Sequence, residues 1–159
     1  MSEAPMSAVE SRLAELGLAV PEVVPPVAAY VPAVRTGNYV YTSGQLPMVA
    51  GAMAATGKVG GAVTPEQGKE LAQACALNAI AAVKALIGDL DKVVRVVKVV
   101  GFVASVPEFT GQPQVVNGAS ELLGKAFGDK GIHARSAVGV VALPLDAPVE
   151  VEIVVEVAD

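Results

Sequence analysis

Val93-Val94-Arg95-Val96-Val97-Lys98-Val99-Val100-Gly101-Phe102-Val103 decides the fold. β-branched residues restrict χ1 and suit a pleated surface, so the density of Val predicts a strand over 93–105. Alternation is weak, which predicts burial of much of it on both faces. Helices flank it on either side. Upstream, Thr64-Pro65-Glu66-Gln67 is a helix start, with Thr as cap, Pro at the first helical position and Gln three residues after the cap. Leu71, Ala74, Cys75, Asn78, Ala82 and Leu86 recur mostly at spacings of three and four, and Gly88 suits a C-cap, so 65–87 is expected to be one long helix. Downstream, 113–127 reads as a second helix, closed by Gly128-Asp129-Lys130-Gly131. Two more strands, 134–143 and 149–157, are joined by Pro144-Leu145-Asp146-Ala147-Pro148.

The N-terminal part is less regular. Ser7-Ala8-Val9-Glu10 resembles a capping box and predicts a short helix over 7–17. Pro21, Pro25 and Pro26 then favour an extended connector. Strands are predicted over 30–34 and 39–42, with Arg35-Thr36-Gly37-Asn38 as the turn and Pro32 restricting the first to a sheet edge. Residues 58–63 are expected as a further short edge strand. The order helix, strands, helix, strand, helix, strands predicts an α+β sandwich with both long helices on one face of the sheet. The other sheet face is expected to be apolar and buried in an oligomer.

Composition narrows the function. The chain has 159 residues, one domain's worth, with 53% hydrophobic and 17% charged. Mean hydropathy is +0.55. No uninterrupted apolar run approaches the ~18 residues that would span a bilayer, so no membrane association is expected. A net charge of −5 and 4% aromatic residues argue against a nucleic-acid partner. The N-terminus is acidic and lacks a secretory pattern, and Cys75 is the single cysteine, so a cytoplasmic location is expected. Cys75 lies in an apolar helical run and reads as a small buried hydrophobe.

Few residues can do chemistry. One His and one Cys, with no clustered carboxylate loop, leave no metal site. His133 sits at a loop-to-strand entry with no nucleophile elbow nearby, so a surface or structural role is expected for it. Arg135 heads an apolar strand and needs a partner, either a structural ion pair or a ligand carboxylate matched to its fork. Glu150, Glu152 and Glu156 share one face of the last strand. Glu152 and Glu156 read as a solvated face, whereas for Glu150 a pairing with Arg135 or a site role weighs the same as that solvated face. Residue chemistry alone thus points to a site for a small carboxylate.

The chain resembles the RidA (YjgF) family, some of whose members carry the label endoribonuclease L-PSP. The resemblance covers 27–157. It rests on Ala29-Tyr30-Val31, Tyr41-Thr42-Ser43-Gly44-Gln45-Leu46-Pro47, Val115-Val116-Asn117-Gly118, Ala134-Arg135-Ser136-Ala137-Val138, Leu143-Pro144 and Val149-Glu150-Val151-Glu152. It implies a fold like that of the trimeric chorismate mutases, a homotrimer with ligand clefts between subunits, and no cofactor. It also implies hydrolysis of reactive enamines and imines, such as 2-aminoacrylate, to 2-keto acids and ammonia. Arg135 matches the arginine that clamps the substrate carboxylate, and Glu150 the acidic residue that places the attacking water. Ser43, Gly44, Tyr30 and Asn117 match cleft positions.

Two departures accompany it. Ala137 stands where many relatives carry Cys, so thiol-dependent behaviour is not expected. Residues 1–26 form an N-terminal extension, ahead of a RidA-like domain over 27–159, and with the lead-in at 127–133 they resemble a long subgroup. The alternative to hydrolysis is a non-catalytic trimer that binds small 2-keto acids. RNA cleavage ranks below both, because an acidic chain with a lone His133 offers neither a phosphate-binding surface nor an acid–base pair.

Overall fold

The Val-rich stretch is a strand in the interior of a five-stranded sheet. The computed structural model describes residues 6–26 and 28–159. In chain order the elements are α1 (Ala8–Glu15), β1 (Ala33–Thr36), β2 (Tyr39–Thr42), β3 (Met48–Val49), β4 (Ala52–Met53), α2 (Pro65–Ile87), β5 (Val93–Ala104), α3 (Gln112–Phe127), β6 (Ala134–Val140) and β7 (Val149–Val157). The sheet runs β1-β2-β7-β5-β6, and β3 and β4 form a separate small hairpin. β5 and β6 are parallel, with α3 as the crossover between them, and the other sheet pairs are antiparallel. Both long helices pack on one face, α2 against β7, α3 against β5, and each against the other. This is the α+β arrangement the element order predicts.

Local chemistry sets these elements. Thr64 Oγ1 accepts the Gln67 N–H at 3.1 Å, and Gln67 Oε1 accepts the Thr64 N–H at 2.9 Å, closing a capping box at the start of α2. Gly88 ends the helix at φ 82°, a conformation that favours glycine. By length and composition α2 is apolar enough to cross a membrane, yet 56% of that window is buried against the sheet and α3. α1 is capped by Ser7, whose Oγ accepts the Glu10 N–H at 3.1 Å. Its Val9 and Leu13 enter the same core as the sheet, and Arg12 reaches the Ala126 carbonyl on α3 at 3.2 Å.

The structure revises several boundaries. The first strand starts at Ala33 rather than Tyr30, because Pro32 cannot donate to a ladder and pairing begins after it. It does lie at the sheet edge. Residues 58–63 are a turn rather than a strand, since Gly57 and Gly60 adopt φ of 117° and 88° and the segment makes only isolated bridges, Val59 to Val63 and Val59 to Ser105. β6 stops at Val140, where its partner β5 runs out at Ala104, and Val141 beyond it is 90% exposed.

Burial of β5 is one-sided. Val93, Val96, Val99 and Val103 face the helices and are buried, whereas Val94 and Arg95 are exposed. Helices cover only one face of the sheet in a single chain. The other face is mixed rather than uniformly apolar. Val34, Tyr39, Tyr41 and Val138 are exposed there, interleaved with Lys98 and the three glutamates of β7, which share that face as their spacing requires.

Candidate functional site

Two clusters hold the candidate residues, on opposite faces of the sheet. The first lies where β6 meets α3. Arg135 pairs in register with Val99, a helix-facing position, so its side chain points toward α3. There Nη1 donates to Asn117 Oδ1 at 2.8 Å and to Ser120 Oγ at 3.2 Å, and Nη2 donates to the Pro113 carbonyl at 3.0 Å. Ser120 Oγ in turn lies 2.8 Å from His133 Nε2, and His133 Nδ1 lies 2.6 Å from the Gly131 carbonyl. A guanidinium carries five N–H groups. The three protein bonds leave Nε–H and one Nη2–H, a pair suited to a carboxylate.

The second cluster lies at the end of β2, on the outer face beside β7. Ser43 Oγ donates to the Val31 carbonyl at 2.6 Å and Ser43 N–H to the Pro32 carbonyl at 2.8 Å, which folds the segment carrying Tyr30 over the end of β2. Gln45 and Val151 exchange backbone hydrogen bonds at 2.8 and 3.0 Å, which fixes Gly44 beside the start of β7. Gly44 touches the Glu150 carboxylate so closely that a Cβ on it would overlap Glu150 Oε1. Tyr30, Gly44, Gln45 and Leu46 line a small hollow with Val24 and Pro26 of the connector that follows α1.

Glu150 is half-buried, and its carboxyl group is pushed above the ordinary value of 4.5, first by desolvation and then by the neighbouring Glu152 charge. Cys75 is fully buried on α2, with Sγ 3.7 Å from the Val149 carbonyl. Its thiol is pushed well above its ordinary value by burial and by the Glu150 charge, which suits the inert role read from its apolar neighbours.

The structure thus joins Arg135 with Asn117, and Glu150 with Gly44, Ser43 and Tyr30. It does not bring the two sets together. Arg135 and Glu150 stand on β6 and β7 with β5 between them, roughly 10 Å apart in strand spacing and on opposite faces. A direct Arg135–Glu150 pair within one chain, one of the alternatives the sequence left open, is therefore corrected. Ser120 and the Pro113 carbonyl were missed. The available signal was spacing, since Asn117 and Ser120 are three apart and share one face of α3. His133 lies against Ser120, the serine that holds Arg135. Among the described residues no group of His, Cys, Asp and Glu is arranged to hold a metal.

Known proteins share this arrangement of chain. A protein of Trypanosoma cruzi, TCP17, is 45% identical over 159 residues, covering 98% of each chain. A solved structure of unknown function from Agrobacterium tumefaciens is 49% identical with a TM-score of 0.89, covering 95% of this chain and 93% of that one. The YjgF gene product of E. coli is 28% identical with a TM-score of 0.62, covering 85% of this chain and 93% of that one. The family profile described as Endoribonuclease L-PSP matches residues 13–157. Taken with the motifs at 41–47 and 134–152, this places the chain in the endoribonuclease L-PSP family, the YjgF (RidA) family.

Proposed function

We propose that the protein hydrolyses small enamine or imine acids to 2-keto acids and ammonia, in a cleft that two copies of the chain complete. The family includes enamine and imine deaminases. The observation that carries the reading is Arg135, whose guanidinium is anchored through three N–H groups with an adjacent pair left over. That pair takes the substrate carboxylate in two parallel hydrogen bonds. Glu150 of a second copy then faces the imine carbon. Its carboxylate takes a proton from a water whose oxygen bonds to that carbon as the C=N π pair moves to nitrogen, and it returns that proton to the nitrogen. The resulting hydroxyl then loses its proton by the same route to the amine, and C=O forms as the C–N bond breaks and ammonia leaves. An enamine first tautomerises to the imine. Imines hydrolyse unaided in water, so holding the carboxylate and placing one water suffices, with no cofactor.

Composite assembly would unite the two separated clusters in one cleft. A homotrimer in which the Arg135 edge of one copy meets the Glu150 face of the next fits the mixed outer face and its exposed Tyr39, Tyr41 and Val138. Tyr30 and Ser43 shape the wall beside Glu150, Gly44 leaves room for its carboxylate, and Asn117 holds Arg135.

Complementation tests both parts together. Arg135→Ala and Glu150→Gln are each expected to lose at least tenfold in kcat/KM toward enzymatically generated 2-aminoacrylate, read as keto acid release. Unfolded and refolded as a mixture, the two variants are expected to regain activity, because some clefts then combine an intact Arg135 with an intact Glu150. Wild-type release no faster than buffer, with a 2-keto acid nevertheless bound, would replace hydrolysis by the non-catalytic reading. No recovery in the mixture would remove Glu150 of a second copy from the cleft.

A further inference from the structure

Arg135 is held by a chain of hydrogen bonds that ends on the protein's lone histidine. We infer that His133 is a positioning residue for the carboxylate clamp, acting through Ser120. The inference rests on reading Arg135 as that clamp.

The direction of each bond follows from what its atoms can do. The Gly131 carbonyl can only accept, so His133 Nδ1, 2.6 Å away, carries a proton. In the neutral ring Nε2 is then bare and accepts, and the Ser120 hydroxyl 2.8 Å away donates its hydrogen to it. With that hydrogen committed, the lone pairs of Ser120 Oγ are left for Arg135 Nη1 at 3.2 Å. The other Nη1 hydrogen goes to Asn117 Oδ1 at 2.8 Å.

Both hydrogens of Nη1 are therefore saturated, and the guanidinium plane is fixed by two side chains of one helix face. That leaves the Nε–Nη2 edge as its only outlet toward a carboxylate. Without His133 the Ser120 hydroxyl is free to turn its own hydrogen toward the guanidinium. A donor then faces a donor, and Nη1 seeks another acceptor, the bound carboxylate included. The clamp would rotate away from its parallel two-bond geometry.

Because the chain has one histidine, ¹⁵N NMR of the ring reports on His133 alone. For the neutral ring, the expected spectrum has Nδ1 protonated and Nε2 bare. A ring protonated on Nε2 would overturn the inference whatever the protein binds.

Titration of the full-length protein with pyruvate gives the second reading. Ser120→Ala and His133→Phe are each expected to weaken pyruvate about tenfold, the size of one hydrogen bond to a charged group. The double variant should be no weaker than either single one, since both cut the same chain. His133→Gln, whose Oε1 can accept from Ser120, is expected to recover most of the affinity, and the turnover defect should lie in KM rather than kcat. Equal losses for Phe and Gln, or unchanged affinity in Ser120→Ala, would overturn it. If the wild-type protein binds no pyruvate, the functional reading fails, and guanidinium proton exchange at Arg135 still decides the positioning. Faster exchange in both Ser120→Ala and His133→Phe supports it, and unchanged exchange overturns it.

Discussion

Glu150 is a carboxylate held where a carboxylate is unfavourable. Burial and the Glu152 charge raise its pKa above the ordinary 4.5. The sign of the effect on stability follows. Between the ordinary and the raised value the unfolded chain has already released the proton while the folded chain keeps it, so stability falls as pH rises through that window. Above the raised value the penalty is fully present. Glu150→Gln is therefore expected to melt higher than wild type at pH 7.5, with the difference vanishing below the ordinary value, near pH 3.5. Thermal unfolding at the two pH values checks this, and a variant that melts lower at pH 7.5 would show that the carboxylate is stabilising. The same residue is expected to lose activity in the complementation assay. A group that weakens the fold is what a proposed site residue is expected to be.

Close approach between helices is the controlling feature among the elements. Gly118 on α3 lies against the Lys69 carbonyl of α2 so tightly that a Cβ would overlap it. Within the same turn of the helix, Asn117 and Ser120 hold Arg135. Gly118→Ala must push α2 and α3 apart or tilt one of them. A destabilisation of about 1–3 kcal/mol is expected from the overpacking, together with weaker pyruvate binding because Asn117 moves. Denaturant unfolding and a pyruvate titration measure the two effects. Gly124 on the same helix meets nothing within 4 Å, so Gly124→Ala is expected to be neutral or stabilising by up to about 1 kcal/mol. Equal effects at 118 and 124 would mean that the spacing of α2 and α3 is not what glycine protects.

Among the described residues, a five-stranded sheet carries both long helices on one side, with the small β3–β4 hairpin apart from it. The face left open carries Val34, Tyr39, Tyr41 and Val138 among charged side chains. Exposed apolar surface of this kind, beside half of a proposed site, argues for a second copy upon it. Light scattering is expected to give the mass of three 16.0 kDa chains. Val138→Asp would place a charge in that contact and is expected to dissociate the assembly and abolish turnover, with the helical signal by circular dichroism retained. A wild-type monomer with full turnover would remove the composite cleft.

Local chemistry alone determined most of the elements. The capping box at Thr64, the glycine at 88 and the Val density after 93 act over a few residues, so α2 and β5 were legible with their ends nearly in place. The motif around Arg135 and Glu150 was legible too, as residues. Their arrangement was not. Whether Arg135 meets Glu150 depends on strand order, and β5 lies between them because α3 carries the chain over to a parallel neighbour, a long-range pairing that no local pattern encodes. One-sided burial of β5 has the same origin, since alternation reports what a face can bury and only packing decides what covers it. The Ser120–His133 chain was invisible for a further reason. A helix and a strand entry must dock before a hydroxyl, an imidazole and a guanidinium come within hydrogen-bond reach.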